Sequence, residues 1–232
     1  MSGQTQTQTI SSLKPYYDQL AEDYDELRFG GSYGKFIHQQ EVALLDKLIG
    51  SVAGRKILDL ACGTGRLSGF ASHGLDQSEK MIRLAREKHP DLDFRQGDAT
   101  NTAFPDAYFD VLFSFHFVMH LDSDTFSQVL TEANRILKPG GRLIFDFPSS
   151  RRRKLFRRKA TGWHGNYSMN LRELTKQTNA HWTMLSKQGI MALPIHRFPS
   201  ASRSWFQSID KLLCRSPLQE WASYIVVEMI KR

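Results

Sequence analysis

The stretch ILDLACGTGRLS, Ile57 to Ser68, decides the fold. Ile57 to Leu60 is mostly aliphatic and β-favouring, and it runs straight into a tight Cys62-Gly63-Thr64-Gly65 turn. A helical pattern resumes afterwards. A strand feeding a glycine turn feeding a helix is a nucleotide-binding device. The glycines let the backbone approach a ligand closely. The helix start behind them offers N–H groups to a carboxylate or phosphate. Asp59, at the strand end, places an acid where a ligand cation is met. The combination points to a cofactor carrying both a carboxylate and positive charge.

Outward from this stretch, strands and helices alternate. Tyr16 to Phe29 repeats Tyr17, Leu20, Tyr24 and Leu27 at helical spacing, and a second amphipathic segment covers Phe36 to Ile49. Strand Lys56–Leu60 is followed by a short helix or turn, a strand around Ala71–Leu75, and helix Ser78–Lys88 with Ser78 as its N-cap. Strands Leu92–Gln96 and Phe109–Phe113, helix Ser123–Leu137, the turn Lys138–Gly141 and strand Arg142–Phe147 complete the series. Such alternation means an α/β fold, a Rossmann-like, doubly wound and mostly parallel sheet. Ligands then bind beyond the C-terminal strand ends. The last third reads as strand His181–Leu193, a small helical cap over Pro194–Trp221, and a final strand Ser223–Lys231.

The 232 residues suffice for a substantial core, and 41% hydrophobic with 24% charged residues reads as ordinary globular protein. No apolar run is long enough to span a membrane, and the polar start, MSGQTQTQTISS, reads as a disordered tail with no secretory core. Cys62 and Cys214 make neither a disulfide framework nor a metal cluster, so the expectation is a cytoplasmic protein without metal. The net charge of +7 is local. Arg151–Lys159, RRRKLFRRK, holds seven of the 31 basic residues, leaving 24 against 24 acidic ones. That strip is either a solvated loop or a docking patch for anionic lipid, a phosphorylated substrate or RNA.

The glycine turn alone does not choose a cofactor. No Gly-Lys-Ser/Thr follows it, which excludes the Walker pattern. A dinucleotide site wants glycine where Ser68 stands and an acid about 20 residues on. Here the acid is Asp76, in LDQS, suited to accept from ribose hydroxyls. In Gly97-Asp98-Ala99 a second acid stands after the third strand, where adenine's amine would be met. Met81 either lies against the base or packs in the core.

The ordered set ILDLACGTG, LDQSEKM, GDA, FDVLFSFHFVMHL and LKPGG resembles the class I S-adenosylmethionine-dependent methyltransferases. Within them it is most similar to the ubiquinone and menaquinone C-methyltransferase branch. The resemblance covers roughly Tyr16 to Phe147 and implies a seven-stranded sheet whose last strand, SYIVVEMIK, is antiparallel. It implies that Asp59, Ala61, Gly63, Thr64 and Gly65 surround the methionine part of S-adenosyl-L-methionine. Asp76 would hold the ribose, with Gln77 and Met81 also contacting the cofactor. Asp98 and Ala99 would hold the adenine, and Ser114 would lie under the sulfonium. An N-terminal aromatic (Tyr16, Tyr17 or Tyr24) would cover it. The resemblance divides the chain into the tail, 1–12, and one methyltransferase domain, 13–232. That domain has N-terminal helices at 13–50, a cofactor core at 55–148, and an acceptor side at 149–232 with its cap at 194–221. Between Ser68 and Asp76 the chain is shorter than the family pattern, which implies a clipped first helix and an open cofactor edge.

The implied reaction is in-line methyl transfer, in which alignment supplies most of the catalysis. A base is required only when the acceptor loses a proton, and His116 and His120, after the fourth strand, are the candidates. Both are also placed to pack or to bond a helix start. His164, beside Trp163 and Tyr167, is a weaker candidate on the acceptor wall. The sequence SFHF replaces the Asn/Asp-Pro-Pro-aromatic turn of amino-methylating nucleic-acid enzymes. The expected acceptor is therefore a small molecule, lipophilic or anionic, with the basic strip touching an anionic membrane or a phosphorylated substrate. Two other readings remain: methylation of RNA or protein docked on the strip, and a non-catalytic cofactor-binding module.

Overall fold

A computed structural model describes residues 14–155, 167–178, 180–199 and 202–232. Seven strands form one sheet: β1 (Ile57–Leu60), β2 (His73–Asp76), β3 (Asp93–Gln96), β4 (Phe109–Ser114), β5 (Leu137–Pro148), β6 (Trp182–Ile190) and β7 (Tyr224–Lys231). Their order is β3-β2-β1-β4-β5-β7-β6, parallel from β3 through β5, with β7 antiparallel to both neighbours. The chain reverses its winding between β1 and β4, and a ligand crevice opens outside the strand ends at such a switch point.

Every residue of β1 is buried, as a strand covered on both faces requires. Leu58, Leu112, Phe145 and Val227 face a core completed by helix α4 (Ser123–Ile136). Ile57, Val111, Ile144 and Val226 face the other core, against Ile37 and Leu45 of helix α2 (Ser32–Ile49). The link from β1 to β2 holds a single 3-10 turn, Ser68–Phe70, where a full helix is usual. Helix α3 (Glu79–Lys88) is capped by Ser78, whose hydroxyl accepts from the Met81 N–H at 3.2 Å, a contact of about 1 kcal/mol.

Four local expectations are corrected. Tyr16 to Phe29 is not one helix but α1 (Lys14–Leu20), a 3-10 turn Ala21–Asp23 and a π-helical turn Glu26–Gly30. The π-helical turn ends at Gly30-Gly31, where the backbone becomes extended ahead of α2. Lys138-Pro139-Gly140-Gly141 lies within β5, because the ladder to β4 slips between Phe109 and Val111 and absorbs it. The strand His181–Leu193 contracts to β6, ending at Ile190 ahead of the positive-φ Met191. Arg151–Leu155 is not a loop: with Ser150 it forms helix α5 (Ser150–Leu155). Helix α6 (Leu171–Thr178) was not anticipated; it buries only Leu171, Leu174 and Thr178, too few apolar positions to stand out. The cap consists of a turn Ile195–Arg197, helix α7 (Arg203–Arg215) and a turn Pro217–Trp221.

Candidate active site

The strand ends at the switch point open into a cleft enclosing about 720 Å³ of empty space, open solvent at its mouth included. Ala61, Gly63, Asp76, Gln77, Met81, Ala99, His116 and His120 all line it. A smaller recess of about 390 Å³ shares Ala61, Gly63 and His116 with the cleft and adds Asp59 and Thr64.

Each group is placed by local backbone chemistry. Gly63 has φ of 55°, and nothing lies within 4 Å of where a Cβ would sit, so the turn leaves its space to a ligand. Ala61 (φ 59°) and His116 (φ 58°) also occupy the left-handed region, one after β1 and one after β4. Such strain in non-glycine residues gathers at ligand sites. Asp76 accepts from the Gly63 N–H and the Ser78 N–H, each at 2.9 Å, one on each oxygen. The carboxyl is thereby fixed, with a second lone pair on each oxygen for ligand hydroxyls. Burial pushes Asp76 above the ordinary carboxyl value against those N–H groups. Asp59 accepts from Ser68 Oγ at 2.7 Å, and burial, only partly offset by that bond and by Arg66, pushes it to about 7.

Four residues expected at the cofactor also make contacts within the protein. The Asp98 side chain is exposed and turned onto Thr100, accepting from its N–H and hydroxyl at 2.8 Å each, while neighbouring Ala99 reaches the cleft. Ser114 is buried and donates to the Leu60 carbonyl at 2.7 Å, tying β4 to β1. Gly65, at φ 77°, brings the turn against α3: a Cβ there would stand 3.2 Å from Ala85 and His89. Thr64 donates to Asp25 Oδ1 at 2.7 Å, so its hydroxyl binds the N-terminal segment.

The two histidines differ. Burial pulls the His116 imidazole down, but Glu41 and Asp146 outweigh it and leave it above its ordinary value. Its Nε2 lies 2.5 Å from Glu41, and its N–H donates to Asp146 at 2.7 Å. Glu41 is fully buried, and Arg66 also pairs with it at 2.7 Å. His116 thus sits in a buried charge cluster that favours its protonated form. His120 Nε2 lies 2.9 Å from the Tyr17 hydroxyl. Burial pushes the Tyr17 phenol up, so it keeps its proton and can donate to a neutral imidazole.

Tyr17 and Tyr24 come from the N-terminal segment and close the cleft, and Tyr16 stacks edge-on against Tyr17. His164 and Trp163 lie outside the described residues. The sequence missed Lys14, Phe115 and Phe117 as lining residues and Glu41, Arg66 and Asp146 as the cluster beneath. An acid inside the apolar run LIFDF was the available signal for Asp146. Nothing in the sequence marked Glu41.

Residues 58–145 match the family model described as a methyltransferase domain. Over those residues the chain is similar to methyltransferase domains. The match runs from β1 almost to the end of β5, so it contains the glycine turn, Asp76 and both histidines. Demethylmenaquinone methyltransferase of Chlorobaculum parvum is 34% identical over 146 residues, covering 59% of this chain and 59% of the relative. The aligned part is thus well short of that relative's full length. Magnesium protoporphyrin IX methyltransferase from Synechocystis, solved with bound SAH, shares the fold at a TM-score of 0.69 and 15% identity, covering 97% of this chain and all of the other. The [4+2]-cyclase SpnF shares it equally, at 0.68 and 18% identity, covering 100% of this chain and 99% of the other. A cyclase on the same fold shows that the methyltransferase architecture does not by itself name a reaction.

Proposed function

We propose that the chain is an S-adenosylmethionine-dependent methyltransferase acting on a small, largely apolar acceptor that carries an ionisable hydroxyl or acidic carbon. One juxtaposition carries the reading: Asp76, the open turn at Gly63, and apolar Met81 and Ala99 meet Tyr17 and His120 in a single cleft. The donor set fits the cofactor. Asp76 suits a ribose diol, Met81 and Ala99 suit a purine face, and buried Asp59 suits an ammonium. When bound, the cofactor supplies a sulfonium methyl and leaves as a neutral thioether. The chain's own residues align the partners and exclude water with Tyr17, Tyr24, Phe115 and Phe117. His120 takes the acceptor's proton at Nε2, where Tyr17 now stands. The relative named for demethylmenaquinone points to the same acceptor class.

Calorimetric titration tests the first half: S-adenosylmethionine is expected to bind and NAD not. No binding of the former sinks the reading. Labelled methyl transfer offered to a lipid extract and to an RNA fraction tests the second, with label expected in the lipid. His120→Gln is expected to lower kcat by about 10²-fold or more while cofactor affinity stays unchanged.

A further inference from the structure

Helix α7 exposes two large apolar side chains on its outer face. Its inner face carries Asp210 and Cys214, both buried; Asp210 accepts from Gln40 Nε2 at 2.6 Å and from the Leu193 N–H at 2.7 Å. Those bonds fix the helix rotation. The opposite face then presents Trp205, 63% exposed, and Leu212, 70% exposed, with Lys211 and Arg215 beside them. The turn Pro217–Trp221 packs against both α7 and α5 and adds exposed Leu218 and Trp221, while α5 ends on exposed Leu155. Soluble proteins rarely gather several large apolar side chains on one exposed surface without a partner.

Charge names the partner. Between α7, α2 and the edge strand β6 lies a recess of about 420 Å³ lined by Lys47, Lys211 and Arg215, with no Asp or Glu among its lining residues. Among the described residues none of the three cations is in an ion pair. The basic strip, by contrast, is partly spent on structure. Arg151 pairs with Glu220 at 2.9 Å, and Arg152 donates to the Ala192 and Trp221 carbonyls.

We propose that the outer face of α7 with the Lys47–Lys211–Arg215 recess docks on an anionic lipid bilayer, the recess taking a phosphate headgroup while Trp205 and Leu212 enter the interfacial layer. Tryptophan favours that layer, and cations near an anionic surface each add about five-fold to partitioning. Leu212 and Leu218 cannot stack on bases, which disfavours RNA. A second copy would bring like charges together at this face, which disfavours self-association. The inference stands apart from the proposed activity, since vesicle binding is read without turnover.

The test is cosedimentation of the full chain with phosphatidylcholine vesicles and with vesicles of phosphatidylcholine mixed with phosphatidylglycerol. Binding is expected only to the mixed vesicles. Lys211→Glu/Arg215→Glu and, separately, Trp205→Ala/Leu212→Ala are each expected to weaken it about ten-fold or more. Lys47→Glu, on a different helix, repeats the charge test should an α7 variant fold poorly. Unaltered S-adenosylmethionine titration shows that the variants leave the cleft intact. Equal binding to both vesicle types, binding untouched by Lys47→Glu and Lys211→Glu/Arg215→Glu, or no vesicle binding overturns the proposal. So does a dimer that Trp205→Ala/Leu212→Ala dissociates.

Discussion

The floor and the cover of the cleft are built by opposite means. The floor is made of β1, β2, β4 and their turns, and its polar groups are buried or half-buried and hydrogen-bonded within the protein. Asp76 is bound by two backbone N–H groups, Asp59 by Ser68, and His116 by Glu41 and Asp146. The cover is α1 and the turns after it, and α1 buries no residue at all. It is held from outside, by Asp18 on Ser78, Glu22 on Arg83, and Asp25 on Thr64 and Lys88. Buried, hydrogen-bonded charge is costly to disturb, whereas exposed ion pairs contribute little. A rigid floor under a lightly latched cover lets a ligand enter without unfolding the surface that aligns it.

The sharpest way to break this contrast is Glu41→Ala. It strips the buried partner from both His116 and Arg66. Removing one member of a buried charge pair costs about 3–5 kcal/mol, to be read by urea unfolding. A loss below about 1 kcal/mol would mean that the cluster does not hold the floor.

Asp76→Asn comes next. Its shape is kept, but one oxygen becomes a donor facing a backbone N–H, either Gly63 or Ser78. A charge-assisted bond contributes about 1.5–3 kcal/mol, so S-adenosylmethionine affinity should fall roughly 10- to 150-fold by calorimetry. An unchanged affinity would remove Asp76 from the site.

The pH dependence of stability separates the floor's acids. Asp59 (about 7) and Asp146 (about 6) are both raised by burial, so the folded chain binds their protons more tightly than the unfolded chain does. Stability from these groups is full below the ordinary carboxyl value and is lost as pH rises towards the folded values. His116, also raised, adds loss above its ordinary value; Glu41, held low by His116 and Arg66 against burial, acts only on the acid side. The melting temperature should therefore fall between about pH 4 and pH 7, and Asp59→Asn should flatten that fall by roughly 3 kcal/mol of unfolding free energy. An identical slope in the variant would mean that Asp59 is not buried as described.

The same contrast decides what was legible in the sequence. The floor was readable because its chemistry is local. Gly63 and Asp76 lie on adjacent strand ends, and the apolar runs of β1 and β4 announce buried parallel strands. Asp98 was legible from its motif alone, and the structure adds its contact with Thr100 through Oδ1. The cover was legible only as helical periodicity. What breaks it into three pieces is tertiary: contacts to Ser78, Arg83 and Thr64, each some forty to sixty residues away in sequence. Glu41 was invisible for the same reason, since its partners Arg66 and His116 come from other parts of the chain.

The smallest expected effect tests the cover. Arg83→Ala and Lys88→Ala each remove an exposed ion pair to the segment, and such solvent-screened pairs contribute little to stability. Global stability should hardly move, because α1 contributes no buried residue to the core. The loss should surface in ligand exchange, since a cover that opens more often releases its occupant sooner. The double variant is expected to speed S-adenosylmethionine release about three- to ten-fold in stopped flow, and added salt should do the same to the wild type and less to the variant. If the double variant instead unfolds as readily as Glu41→Ala, the segment is part of the floor and the two regions are one.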